Sequence, residues 1–248
     1  LNLGLLSLGY NFPDTSTLTV TADYRQSPML TTTNALIGQI FTATSEPVLD
    51  LGGLKPFFTD AQIYQLAKDR TLVSKSVTLA YSRPLTKKLQ TNLDFSMTNT
   101  GGTPNTPASA GTNEVFGLPS SGKEYYYGAQ LIGSGLLWEN DIYILGARYA
   151  NTQRSHTWTA DFNARMALTN KFRLSPRVRY GYRKEKLIDS TYKQFQPTMR
   201  FNWFPVQHSE IEVEIGGNFN HQRTVTAGTP LSTREKGYVL SAGYRLDF

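Results

Sequence analysis

The stretch FRLSPRVRYGYR carries Arg173, Arg177, Arg179 and Arg183 on one parity of an alternating pattern. Further along, EIEVEIGG places Glu210, Glu212 and Glu214 at every second position. A guanidinium is a planar fork that takes a carboxylate through two parallel hydrogen bonds. Such rows therefore have two chemical uses. Arg and Glu can neutralise each other in an ion-pair web that fills and braces an interior. Left unneutralised, the arginines form an electropositive wall that selects anions or an acidic polymer, with the glutamates as an opposite wall.

Other chemistry finds little support. Cysteine is absent, which removes disulfides, thiolate metal sites and Cys nucleophiles together. The three histidines are His156, His208 and His221. His221 with Ser232 or Asp189 is the one arrangement with a hydrolase's residue types, but no spacing singles out a base and its orienting partner. His208 falls in a short turn, and no enzymatic activity is expected. Alternating glutamates beside arginines are better explained by pairing than by a metal, and no metal or cofactor is expected. GGTPNTPASAG is a flexible loop, with no Walker or zinc spacing anywhere. The +6 net charge does not imply nucleic acid, since the basic residues and the aromatics fall on opposite faces.

The elements that carry these residues follow from a period of two. Side chains of a strand point alternately to opposite faces. At the C-terminus, Phe248, Leu246, Tyr244, Ala242, Leu240 and Tyr238 share one face, with Asp247 and Arg245 on the other. Similar alternation predicts eleven strands, near 3–10, 18–24, 73–81, 89–97, 125–133, 142–149, 158–168, 172–182, 195–203, 211–219 and 238–248. Soluble sandwiches alternate too, but their strands usually run five or six residues. Here the paired positions span ten residues or more. Ten steps of about 3.3 Å, tilted near 40°, cover about 25 Å, the apolar height of a membrane barrel. Short connectors such as RPLTKK and FPVQHS alternate with longer stretches at 27–70, 100–122 and 222–236, read as extracellular loops. Within the first of these, FFTDAQIYQLAKDR predicts a helix capped by Thr59 or Asp60, with Ile63, Leu66 and Ala67 as its apolar stripe. The expected fold is all-β, a transmembrane antiparallel up-and-down barrel forming one domain over 1–248.

The closing GYVLSAGYRLDF resembles the C-terminal insertion signal of bacterial outer-membrane β-barrel proteins: Phe248 preceded by Leu246, Tyr244, Ala242 and Leu240 at alternate positions. DYRQSPMLTTTNALIGQ, IYQLAKDRT, EYYYGAQLIGS and LGARYANT are similar to the C-terminal regions of large proteobacterial proteins with tetratricopeptide repeats upstream. The resemblance implies a Gram-negative outer membrane location. The partners it implies are outer-membrane lipid, lipopolysaccharide, the barrel-insertion machinery and a periplasmic repeat domain or envelope complex. Eleven strands is an odd number, whereas single-chain bacterial barrels have even ones, so twelve or more strands and a longer chain are expected.

The charged face then lines the lumen. It collects Arg148, Asp161, Arg165, Arg173, Arg177, Arg179, Arg183, Arg200, Glu210, Glu212, Glu214 and Arg245. Tight turns suggest a register with Asp161 near Arg179, Arg200 near Arg177 and Glu212 opposite Arg200. Two functions remain open: a passive porin-like pore or export conduit, and a structural or adhesive anchor whose lumen is closed by ion pairs. Interior charge is common in barrels of every function, which favours bracing over selectivity.

Overall fold

The computed structural model describes residues 2–26, 55, 58–69, 71–105, 116–206, 208–226 and 228–246. Eleven strands follow one another in a single antiparallel up-and-down order: β1 (Asn2–Asn11), β2 (Thr17–Gln26), β3 (Ser74–Pro84), β4 (Leu89–Thr100), β5 (Gly122–Ser134), β6 (Ile142–Asn151), β7 (Ser155–Ala167), β8 (Phe172–Glu185), β9 (Ser190–Trp203), β10 (Ser209–Thr226) and β11 (Thr229–Leu246). One helix, α1 (Asp60–Asp69), precedes β3. Among the described residues no helix is long and apolar enough to cross a membrane.

The residues divide into two compact units. The first comprises Leu1–Leu8, Val20–Thr78 and Met97–Glu124. In it, Asn2 donates to Gln26 at 3.2 Å, and the Gly101 N–H meets the Val73 carbonyl at 2.8 Å. Here α1 opens on a capping box: the Gln62 N–H donates to Thr59 Oγ1 at 3.3 Å, and the Thr59 N–H donates back to Gln62 Oε1 at 2.8 Å. Ile63 and Ala67 are buried as the stripe requires, while the Leu66 side chain and residues 27–54, 56–57 and 106–115 lie outside the described residues.

The second unit comprises Gly9–Thr19, Leu79–Ser96 and Tyr125–Phe248, and contains all of β6 to β11. Its apolar face holds Trp158, Tyr180, Phe195, Met199, Phe201, Trp203 and Ile215, and it is not covered by protein. Trp158 is 55% exposed and Ile215, between two paired strands, is 59% exposed. The only buried apolar side chains among the described residues of the whole chain are Ile63, Ala67 and Ala164. A soluble sandwich would hide this face against a second layer. Its exposure is what lipid would cover.

The stretch 222–236 differs from the sequence expectation. It is strand, not loop: β10 and β11 are each 18 residues long and pair from Ser209↔Leu246 through Thr226↔Thr229. Threonine and valine suit an extended backbone, and the Gly228 φ of 80° turns the chain within two residues. The connectors at 152–154 and 186–189 are likewise short. Phe248 and Asp247 lie outside the described residues, while Leu240, Ala242 and Tyr244 sit on the apolar face of β11 opposite Ile215, Val213 and Ile211, and Leu246 ends the strand opposite Ser209.

Asp141 organises the turn between β5 and β6. Its fully buried carboxylate accepts the N–H groups of Leu136, Leu137 and Trp138 at 2.8, 2.9 and 2.8 Å. Burial pushes its pKa up, but these donors outweigh that effect and hold it below the ordinary carboxyl value. A depressed folded pKa stabilises above the unfolded value of about 3.9 and loses that contribution as pH falls through the folded one. Asp141→Ala should lower the urea midpoint at pH 7 in detergent, with the deficit shrinking as the pH falls below about 4. Gly228→Val should cost about 1–2 kcal/mol in the same assay, because a branched side chain resists positive φ.

Candidate functional site

The charged faces of β6 to β10 meet in a cavity of about 390 Å³ within the second unit. Register places the residues. Gly146↔Asp161↔Arg179, Asn163↔Arg177↔Thr198 and Ser175↔Arg200↔Glu214 are rows across the sheet. Asp161 faces Arg179 as the turns suggested. The other two pairings are shifted by two residues: Arg200 faces Ser175 and Glu214, and Glu212 faces Asn202. A shift of two keeps every side chain on its face, so the sorting survives while the partners change.

Arg200 is the hub. Its Nε donates to Glu214 Oε2 at 2.8 Å, its Nη2 reaches the same oxygen at 2.6 Å, and its Nη1 lies 3.3 Å from Glu212 Oε2. Asn202 ties Glu210 to this group, with Nδ2 donating to Glu210 Oε1 at 2.6 Å and to Glu212 Oε2 at 3.1 Å. It is 5% exposed, and sequence reasoning assigned it no role although it stands on the charged parity of FNWF. Ile142 and Ile144 also line this cavity, which charge patterning could not reveal.

The other cavity arginines make no direct ion pair. Among the described residues Arg165, Arg173 and Arg177 have no carboxylate at ion-pair distance; Arg173 lies instead 5.0 Å from the Phe204 ring centroid. Arg179 borders an adjoining cavity of about 260 Å³. Its cross-strand neighbour Asp161 bends over Gly146, where an added Cβ would come within 2.8 Å of the carboxylate. Arg183 pairs with Glu185 at 2.8 Å and lies over Tyr192. Arg148 stands opposite Gly128 and Thr159, and Arg245 opposite Glu210; neither lines the main cavity. The glutamates are not an opposite wall: β8, β9 and β10 are consecutive, so arginines and glutamates share one wall about 10 Å apart.

The histidines take modest places. His208 sits in a turn at φ 64° and His156 Nδ1 bonds the Tyr149 hydroxyl at 2.8 Å. His221 Nε2 does meet Ser232 Oγ, at 2.9 Å, but no carboxylate among the described residues holds its other ring nitrogen. The described residues contain no cluster of three or more His, Asp or Glu suited to a metal.

No protein-family model matches the chain, and no curated protein matches it. Among solved structures, the copper transporter OprC superposes on 99% of the chain with a TM-score of 0.59 at 8% identity, and the chain spans 42% of that protein's length. OmpT, an outer membrane protein of Vibrio cholerae folded in vitro, gives a TM-score of 0.43 at 8% identity over 98% of the chain and 88% of its own length, too low to carry weight. The fold is that of the outer-membrane β-barrels.

Arg200 and its glutamates are partly exposed, so water screens them. A double-mutant cycle of Arg200→Gln with Glu214→Gln should give a coupling of about 1 kcal/mol in urea unfolding, smaller at high salt.

Proposed function

We propose that the chain is a bacterial outer-membrane β-barrel acting as a passive conduit whose charged face favours anions. The observation that carries this reading is the unequal neutralisation at the main cavity. Four guanidiniums, of Arg165, Arg173, Arg177 and Arg200, line it against the three carboxylates of Glu210, Glu212 and Glu214; Arg200 engages two of these, and Arg165, Arg173 and Arg177 have no carboxylate at ion-pair distance among the described residues. Guanidiniums in a confined polar cavity raise the local anion concentration. Small anions or an acidic polymer are the fitting cargo, and movement is diffusive.

The Arg200–Glu212–Glu214 group favours a second reading, a structural or adhesive anchor with its interior closed by ion pairs. The resemblance to barrels that follow tetratricopeptide repeats adds to it, with a periplasmic scaffold as the partner.

Conductance of the purified protein in planar bilayers decides between them. Steady open currents sink the anchor, and silence under conditions where the barrel is shown to insert sinks the conduit. For the conduit, reversal potentials in a KCl gradient should report anion preference, which Arg177→Glu should reduce by about twofold or more. Arg200→Gln should also shift selectivity toward cations, because it releases Glu212 and Glu214.

A further inference from the structure

The apolar face of β8 to β11 ends differently at its two ends. On the side of the turns at 168–171 and 204–208 it closes on Phe172, Trp203, Ile211 and Tyr244, which stand in one row. Toward the other end the aromatic row Tyr180–Phe195–Phe219 runs into Lys236 on β11. The next row is Tyr182, Lys193, His221 and Arg234, and the one beyond it is Lys184, Thr191, Arg223 and Ser232. Five cations thus stand on three successive rows, and those rows carry no carboxylate. Lys184, Lys193, Arg223, Arg234 and Lys236 are all exposed, and none makes an ion pair among the described residues.

A groove of about 230 Å³ opens where the two chemistries meet. Tyr180, Phe195 and Phe219 line it together with Lys193, His221, Arg234 and Lys236. Its one carboxylate, Glu235, belongs to the opposite parity through its pairing with Asn220. Aromatic rings continuous with a lipid-facing band, bordered on the same face by Lys193, Arg234 and Lys236, match an amphiphile with an apolar chain and an anionic head. Both Lys and Arg bind phosphate, Arg through its fork, and stacked basic residues at a membrane surface act together on anionic headgroups.

We propose that this rim is a binding site for a phosphorylated lipid of the surrounding leaflet, with an acyl chain along Phe195 and Phe219 and the phosphate held by Lys193, Arg234 and Lys236. Arg223 and Lys184 extend the cationic field beyond it. The site rests on the membrane-barrel reading but not on conduction through the barrel. It also assigns the rim to a leaflet rich in phosphorylated lipid.

The test uses the full chain in zwitterionic detergent, titrated with bisphosphorylated lipid A and followed by native mass spectrometry. The wild type should retain this lipid over its dephosphorylated form, and Lys193→Glu/Arg234→Glu/Lys236→Glu should weaken retention by about tenfold or more. The milder Lys193→Gln/Arg234→Gln/Lys236→Gln should lose part of it, and it carries the test if the reversed form does not fold. Lys171→Glu, in a turn at the other end of the sheet, should retain the lipid as the wild type does. Equal retention of both lipid forms, or unchanged binding by the neutralised variant, overturns the proposal. Displacement by millimolar inorganic phosphate alone also overturns it, since the site would then hold a free anion. A chain that inserts into bilayers yet shows no phosphate preference sinks this inference alone, while one that never inserts sinks the membrane reading.

Discussion

In hydrocarbon no water is present to satisfy a backbone N–H or C=O, and each one left unpaired costs several kcal/mol. Lateral pairing along the strands is the constraint from which the rest of this architecture follows. The unbroken β8–β9 ladder from Phe172↔Trp203 to Lys184↔Thr191 meets it in full. Two prolines lie within these strands, and each coincides with a lapse toward one neighbour only. Pro176 stands where the β7–β8 pairing skips between Asn163↔Arg177 and Met166↔Leu174, and Pro197 where β9–β10 skips between Gly216↔Thr198 and Phe219↔Phe195. A residue in an antiparallel ladder directs its N–H to one side, so a missing donor disturbs one seam and leaves the other intact. Register is unchanged across both gaps, so the faces stay sorted.

That sorting separates two electrostatic environments on one sheet. On the charged face, carboxylates and guanidiniums stand within reach of one another, yet pairing is selective. Two glutamates converge on Arg200 while Asp161 bends over Gly146, a position without a side chain to exclude it. That Arg165, Arg173 and Arg177 stand without a direct ion pair is a consequence of geometry as much as of composition. On the apolar face of β8 to β11, among the described residues, charge stands at one end, where Lys193, Arg234 and Lys236 succeed the aromatic rows. A band ending in aromatics on one side and cations on the other has a built-in direction across a bilayer.

The alternation of EIEVEI, of FRLSPRVRYGYR and of the closing strand was enough to assign the all-β class, the eleven strands and the division into two faces, because a strand's side-chain period is two whatever lies beside it. The Thr59–Gln62 cap and the Ile63 and Ala67 stripe were equally legible, being local to one helix turn or two. What sequence misread was range. The stretch 222–236 looks like a loop from its Gly, Pro and polar content, but Pro230 is tolerated in β11, the last strand of the order, and Gly228 confines the turn to two residues.

Partners were decided only by tertiary structure. Parity places Arg200, Asn202, Glu212 and Glu214 on one face, but whether Arg200 meets Glu212 or Glu214 first depends on a register set by the turn at 204–208 and the length of the ladder. Asn202, silent in sequence, became the clamp on Glu210 and Glu212 because that register placed it between them. The cationic rim has the same origin: Lys184, Lys193, Arg223, Arg234 and Lys236 come from four strands and become one surface only when those strands lie side by side. Sequence thus determined which face each residue occupies, since that is a property of a single strand. The structure decided what each residue touches, since that is a property of strands in register.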